Sequence, residues 1–194
     1  MEYTQHYIEI PPAFHSDETS APFQRCLGCD SYLLENGTQY FIEKAYRRYP
    51  GYSTQDTVFE YAMCLDCFTQ LQEAMSEESM LRVRSYFDER VDLFDRRSAL
   101  LESNSLQVED WLSECLVKGT PISEMNEFQI FGHCDGNDLL FTLFPYAIGG
   151  DAIDEISTLL SNKTLGEIDG FMDEHFGLPP ELRKLLLDNK MLVI

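Results

Sequence analysis

Two Cys-x-x-Cys pairs, Cys26-Leu27-Gly28-Cys29 and Cys64-Leu65-Asp66-Cys67, constrain this chain more than any other feature. A two-residue gap lets each pair of thiolates act as one bidentate claw on a metal ion, and two claws complete a tetrahedral shell. The 34 residues between the claws must therefore bring the chain back to where they began. Those residues read as two strands and a turn. Gln39 to Tyr46 and Asp56 to Met63 are rich in aromatic and β-branched side chains, and Asn36-Gly37 and Tyr49-Pro50-Gly51-Tyr52 supply turns.

Directly after the second claw, Phe68, Leu71 and Met75 recur at helical spacing. Cys64 and Cys67 are thereby placed at a helix N-terminus, where free N–H groups and the helix dipole favour thiolate. A Cys pair on a knuckle, a β-hairpin, and a second pair opening a helix resembles the treble-clef zinc-finger superfamily, over about residues 26 to 75. The resemblance implies that Cys26, Cys29, Cys64 and Cys67 ligate a structural Zn²⁺. It implies no single function, because treble clefs serve as nucleic-acid readers, protein-interaction modules and structural staples. Iron in the same four-sulfur site, and thiol redox chemistry by either Cys-x-x-Cys, stay open as alternatives.

Composition narrows the classes. The 194 residues are 44% hydrophobic, enough for an ordinary core, and 34 acidic against 14 basic residues leave a formal charge of −20. Such a field repels phosphate backbones and anionic lipid surfaces, so nucleic acid and membrane are disfavoured as partners; the charge is read first as a device for solubility, and it is also compatible with docking on a basic protein partner. No apolar run approaches the ~20 residues that cross a bilayer, and the N-terminus has neither a basic leader nor an apolar signal core. A cytoplasmic location is expected. In that reducing compartment paired cysteines point to metal rather than to disulfides.

The remaining segments are read in order. Tyr7 to Ile10 is a short strand stopped by Pro11-Pro12, and His6 and His15 are solvated or locally bonded, four cysteines already completing a zinc shell. Lys44, Arg47 and Arg48 lie among Tyr40, Phe41, Tyr46, Tyr49 and Tyr52, the ingredients of single-strand nucleic-acid binding if the three cations share one exposed face. From Ser79 to Glu102 the pattern predicts one long helix with Leu81, Phe87, Val91, Phe94 and Leu101 on its apolar side. In a monomer a helix of that length is read first as a core helix, with a bridge between domains or the seam of a homo-oligomer as the alternatives.

Beyond Ser103-Asn104-Ser105, Val108 to Leu116 reads as a short helix carrying Trp111 and Cys115, both expected to be buried. Phe128 to Cys134 and Leu139 to Phe144 form a dense hairpin around Asp135-Gly136-Asn137-Asp138. The two neighbours His133 and Cys134 point to opposite faces of a strand and cannot easily share an ion or a nucleophile–base bond. Three helices follow: Asp151 to Leu160 with Asp151 as cap, Thr164 to Phe176 opened by a Thr164-x-x-Glu167 capping box, and Glu181 to Asn189. The apolar tail Met191 to Ile194 is expected to dock.

The expected fold is α+β: a treble-clef-like Cys₄ zinc module with a long helix, then a small α+β domain of a β-hairpin and about four helices. The expected division is an N-terminal arm (1–25), the zinc-binding module with its long helix (26–104) and an acidic α+β domain (105–194). Residues 105–194 carry 16 acidic and 5 basic side chains, so a basic partner would meet that half. The leading functional expectation is a non-enzymatic adaptor or regulator acting through protein contacts, because a closed Cys₄ shell leaves no position for a catalytic water. An enzyme with a site in the C-terminal half, and nucleic-acid binding through the hairpin, are the alternatives. No G-x-S-x-G, H-E-x-x-H or Walker A motif is present.

Overall fold

A computed structural model of the chain describes residues 6–51, 54–103 and 106–177. The expected helix 181–189 and the apolar tail lie outside the described residues. The described chain is mixed α+β, one antiparallel sheet with six helices around it. The strands are β1 (Tyr7–Glu9), β2 (Gln39–Arg48), β3 (Gln55–Cys64), β4 (Glu127–Asp135), β5 (Asp138–Leu140) and β6 (Tyr146–Gly149). The sheet runs β1-β5-β4-β2-β3, with β6 also on β4. The helices are α1 (Leu65–Ala74), α2 (Glu77–Asp88), α3 (Leu93–Glu102), α4 (Val108–Trp111), α5 (Gly150–Thr158) and α6 (Asn162–Phe176).

The two expected hairpins form, β2 with β3 and β4 with β5. They also join each other. β2 pairs with β4 from Gln39↔Asp135 to Arg47↔Glu127, so one sheet passes through both halves of the chain. Alternation then sends residues to two covered faces. On one, Tyr40, Ile42 and Lys44 of β2 lie beside Cys134, Gly132 and Ile130 of β4, under Phe14 from the N-terminal segment. On the other, Phe41 stacks on His133 at 4.8 Å between ring centroids and meets Phe68 of α1 at 4.6 Å. A second buried cluster joins Val83, Tyr86 and Phe87 of α2 to Phe131, Ile148 and the apolar positions of α5.

The long helix expected over Ser79 to Glu102 is instead two helices. Asp92 turns its carboxylate onto the backbone N–H of Asp95 at 2.9 Å and caps α3, which breaks the run after Asp88. An aspartate competes with the helix for backbone donors in this way wherever it opens a new turn. The apolar stripe breaks with it: Val83, Tyr86 and Phe87 are buried, whereas Leu81 is 60% and Phe94 70% exposed. Arg96 and Arg97 bond backbone carbonyls, Arg96 reaching Trp111 O at 2.7 Å and Arg97 reaching Phe141 O at 3.0 Å.

Other local expectations shift by a few residues. α4 ends at Trp111, so Cys115 lies beyond it, in an isolated bridge to Ala147 of β6, and both side chains are buried. The second strand of the C-terminal hairpin stops at Leu140, freeing the chain to return as β6. Gly149 and not Asp151 is the N-cap of α5. Ser161, not Thr164, caps α6, accepting from Thr164 N. Among the described residues no helix is long and apolar enough to cross a membrane.

Candidate metal centre

The four paired cysteines converge. One ligating atom from each of Cys26, Cys29, Cys64 and Cys67 lies within 4.8 Å of every other, and among the described residues no other group of three or more His, Cys, Asp or Glu side chains could hold a metal ion. The Sγ atoms of Cys29 and Cys64 are 3.8 Å apart. That is far beyond a ~2.05 Å disulfide bond. It equals the edge of a tetrahedron whose centre lies ~2.3 Å from each corner, the Zn–S distance. The donor set is soft, which suits zinc, copper(I) or iron. These residues therefore fit a thiolate-bound metal.

Each claw has a local cause. The first is a tight turn closed by Asp30 N to Cys26 O at 2.9 Å, with Asp30 in the left-handed region at φ 59° and Cys26 N bonded to Ser31 O at 2.9 Å. Leu27 N reaches Ala62 O of β3 at 2.9 Å, which ties the turn to the strand leading into the second claw. A Cβ on Gly28 would stand 3.1 Å from Cys67 Sγ, so this position needs a small residue for the claws to close. In the second claw Cys64 is the N-cap of α1 and Cys67 lies in its first turn, as the sequence pattern expects.

Electrostatics differ across the four sulfurs. Cys26 is 2% exposed, and its Sγ accepts from Cys64 N at 3.3 Å, while Cys29 is open to solvent. Hydrogen bonds from the hydroxyl and amide of Ser31 bring the Cys29 thiol down to about 6. Burial pushes Cys64 up, with Cys26 adding to it and the backbone N–H and thiol of Cys67 offsetting part; burial, then the sulfurs of Cys64, Cys29 and Cys26, push Cys67 up. A crowded set of sulfurs resists losing all its protons without a central cation, and a metal ion supplies the charge that lets them go. Nothing in the spacing of the claws foretells Ser31; only its position two residues after Cys29 hints at it.

Other singled-out residues have structural partners. The ring nitrogens of His15 lie 2.9 Å from Ile10 O and 3.3 Å from Ser20 O, a local contact as expected. His133 and Cys134 do point apart, His133 into the rings of Phe41 and Phe144 and Cys134, fully buried, toward Tyr40. The Asp135-to-Asp138 turn docks on another turn: Asp135 Oδ1 accepts from Gly37 N at 2.6 Å, and Asn137 Nδ2 donates to Leu34 O at 3.1 Å.

The basic hairpin cluster does not form one exposed positive face. Lys44 is 1% exposed, with Nζ 2.6 Å from Asp17 Oδ1 and 3.1 Å from Glu60 Oε2. Arg47 pairs with Glu127 at 2.9 Å. Arg48 donates to Ile122 O at 2.6 Å and lies over the Phe128 ring.

Comparison of the chain with protein-family models, with curated proteins and with solved structures returned no match.

Proposed function

We propose that this protein is a zinc-binding, non-enzymatic adaptor or regulator in which Cys26, Cys29, Cys64 and Cys67 hold one structural Zn²⁺. The observation that carries the reading is the mutual approach of four sulfurs within 4.8 Å, one of them buried, with a 3.8 Å separation that matches the edge of a ZnS₄ tetrahedron. Four protein sulfurs fill the shell of a tetrahedral ion. Water then has no position on the metal, so the ion braces the fold and performs no hydrolysis.

The order of turn, hairpin and helix, with the second claw on the first turn of α1, supports a treble-clef module. Its role is to clamp the edge of the sheet. The first claw is bonded to β3 through Leu27, and the second ends β3, so the metal staples both sides of one corner. Action through protein contacts, with a basic partner, is supported by the charge of −20 and by the neutralisation of Lys44 and Arg47 within the fold.

Elemental analysis of the purified protein beside its Cys64→Ser variant tests the reading. One zinc per chain, lost in the variant together with folded structure, is the expected result. A metal content unchanged by the substitution overturns it. Metal-free protein with a cycling Cys26–Cys29 disulfide would replace it with thiol redox chemistry, and colour from bound iron would replace zinc.

A further inference from the structure

A cleft of about 390 Å³ opens far along the chain from the cysteines, between the segment that follows α4 and the start of α5. This volume falls in the range of ~300 to 1,000 Å³ typical of ligand sites. Met125 and the Gly149-Gly150 pair line it, with the buried Cys115 and Ala152 behind them. The glycines let the walls approach: a Cβ on Gly149 would stand 2.6 Å from Met125 Sδ, and one on Gly150 3.2 Å from Glu127 Cβ.

The charge around this space is one-sided. Glu124, Glu127, Asp151 and Asp154 line it against a single cation, Lys118. Lys118 is already held by Glu155, whose other oxygen accepts from Tyr86 Oη at 2.7 Å, and Glu127 is engaged by Arg47. Glu124, Asp151 and Asp154 remain, each on an exposed residue. The three do not gather as a metal site does, since among the described residues only the four cysteines come close enough to one another for an ion. Carboxylates spread around a half-open, partly apolar cleft suit an extended organic cation, whose stem packs on Met125 while its charged head meets the acids.

We infer that this cleft receives an arginine side chain from a basic segment of a protein partner. The inference deepens the proposed adaptor role and rests on its protein-contact part, not on the metal. Asp151 lies in the first turn of α5, where it offsets the positive helix end that would otherwise oppose a cation. Electrostatic attraction toward the whole acidic chain speeds the encounter, and the cleft gives it a place to settle.

The test is fluorescence anisotropy at physiological salt with a labelled eight-residue peptide of glycine and serine carrying two arginines. Three full-length variants are compared with the wild type. In one, Glu124→Gln, Asp151→Asn and Asp154→Asn neutralise the cleft. In the second, Glu102→Gln, Asp169→Asn and Glu174→Gln remove the same charge elsewhere. In the third, Thr120→Trp fills the cleft without changing charge. Saturable binding is expected to weaken at least tenfold in the first and third, and less than threefold in the second. Absence of saturable binding to the wild type, an equal loss in the first two variants, or full binding by the cleft variants overturns the inference. Metal content measured on the same samples reports on the cysteine cluster separately, so a failed cleft and a failed zinc site give different results.

Discussion

The hydroxyl oxygens of Ser76 and Ser161 lie 2.8 Å apart, joining the N-caps of two helices from opposite halves of the chain. Around them the caps are exchanged. Ser161 N donates to Ser79 Oγ at 2.8 Å, and Ser76 N donates to Thr164 Oγ1 at 2.9 Å, so each helix helps to satisfy the backbone leading into the other. Ser79 and Thr164 are fully buried, which leaves no water to substitute for a lost partner.

Replacing either cap with alanine is expected to cost about 1 kcal/mol, with a range of ~0.5 to 2. The Ser76→Ala/Ser161→Ala double variant is expected to be non-additive by ~0.5 kcal/mol or more, because both residues belong to one network. Urea unfolding of the four proteins in the cycle measures this, and strict additivity would show that the two caps act independently.

Lys44 governs a second expectation. Its ammonium is buried between Asp17, Glu60 and His15 O, so Lys44→Met strands two carboxylates beside an apolar side chain. A loss near ~3 kcal/mol is expected, the lower end for buried pairs because Asp17 is half exposed. Arg82→Met, which removes only the exposed pair with Glu78, should cost ~0.3 to 0.5 kcal/mol.

The same cluster sets a pH window. Burial raises the Asp17 carboxyl, but bonds from Lys44 and Thr57 outweigh it and hold the group below its ordinary value. Burial lowers Lys44, and its carboxylate partners outweigh that to hold it above its own. The contribution of Asp17 is therefore present above about pH 4 and fades as pH falls through its depressed folded value. The contribution of Lys44 is complete below about pH 10 and fades as pH climbs through its raised one. In Lys44→Met the acid-side loss of urea stability should be shallower than in the wild type; an unchanged acid limb would refute the assignment.

Gly132 of β4 sits against Phe14, and a Cβ there would be 2.8 Å from Phe14 Cε1 and 3.2 Å from Leu139 Cδ1. Both neighbours are fully buried and have no room to retreat. Gly132→Ala should destabilise by ~1 to 3 kcal/mol through overpacking. Adding Phe14→Leu should return part of that loss, and a denaturation cycle with no such rescue would place the strain elsewhere.

Metal binding should release protons at neutral pH. Cys64 and Cys67 carry raised thiols, whereas Cys29 is already lowered to about 6. Zinc must displace the protons of the raised pair, so its affinity should rise with pH and fall on acidification. Calorimetric zinc titrations of the chelator-treated protein, in buffers of different ionisation enthalpy, count the released protons; a count near zero would contradict the assignment of Cys64 and Cys67 as thiolate ligands.

The sequence by itself determined what depends on near neighbours. Cysteine spacing brought each pair into a claw, turn residues and alternation marked the hairpins, and the apolar spacing after Cys67 placed the second claw on a helix end. Where a local competitor is subtle, periodicity alone misled: Asp92 captures a backbone donor and splits the helix read from Ser79 to Glu102. Only the tertiary structure decided that β4 lies against β2, because pairing between distant segments is fixed by which faces bury together and not by any local pattern. That pairing also settled Lys44, whose charge reads as a surface feature along the chain but is enclosed once the N-terminal segment brings Asp17 to it. The cleft beside Gly149 has the same origin, since its walls come from segments that meet only when β6 closes on β4.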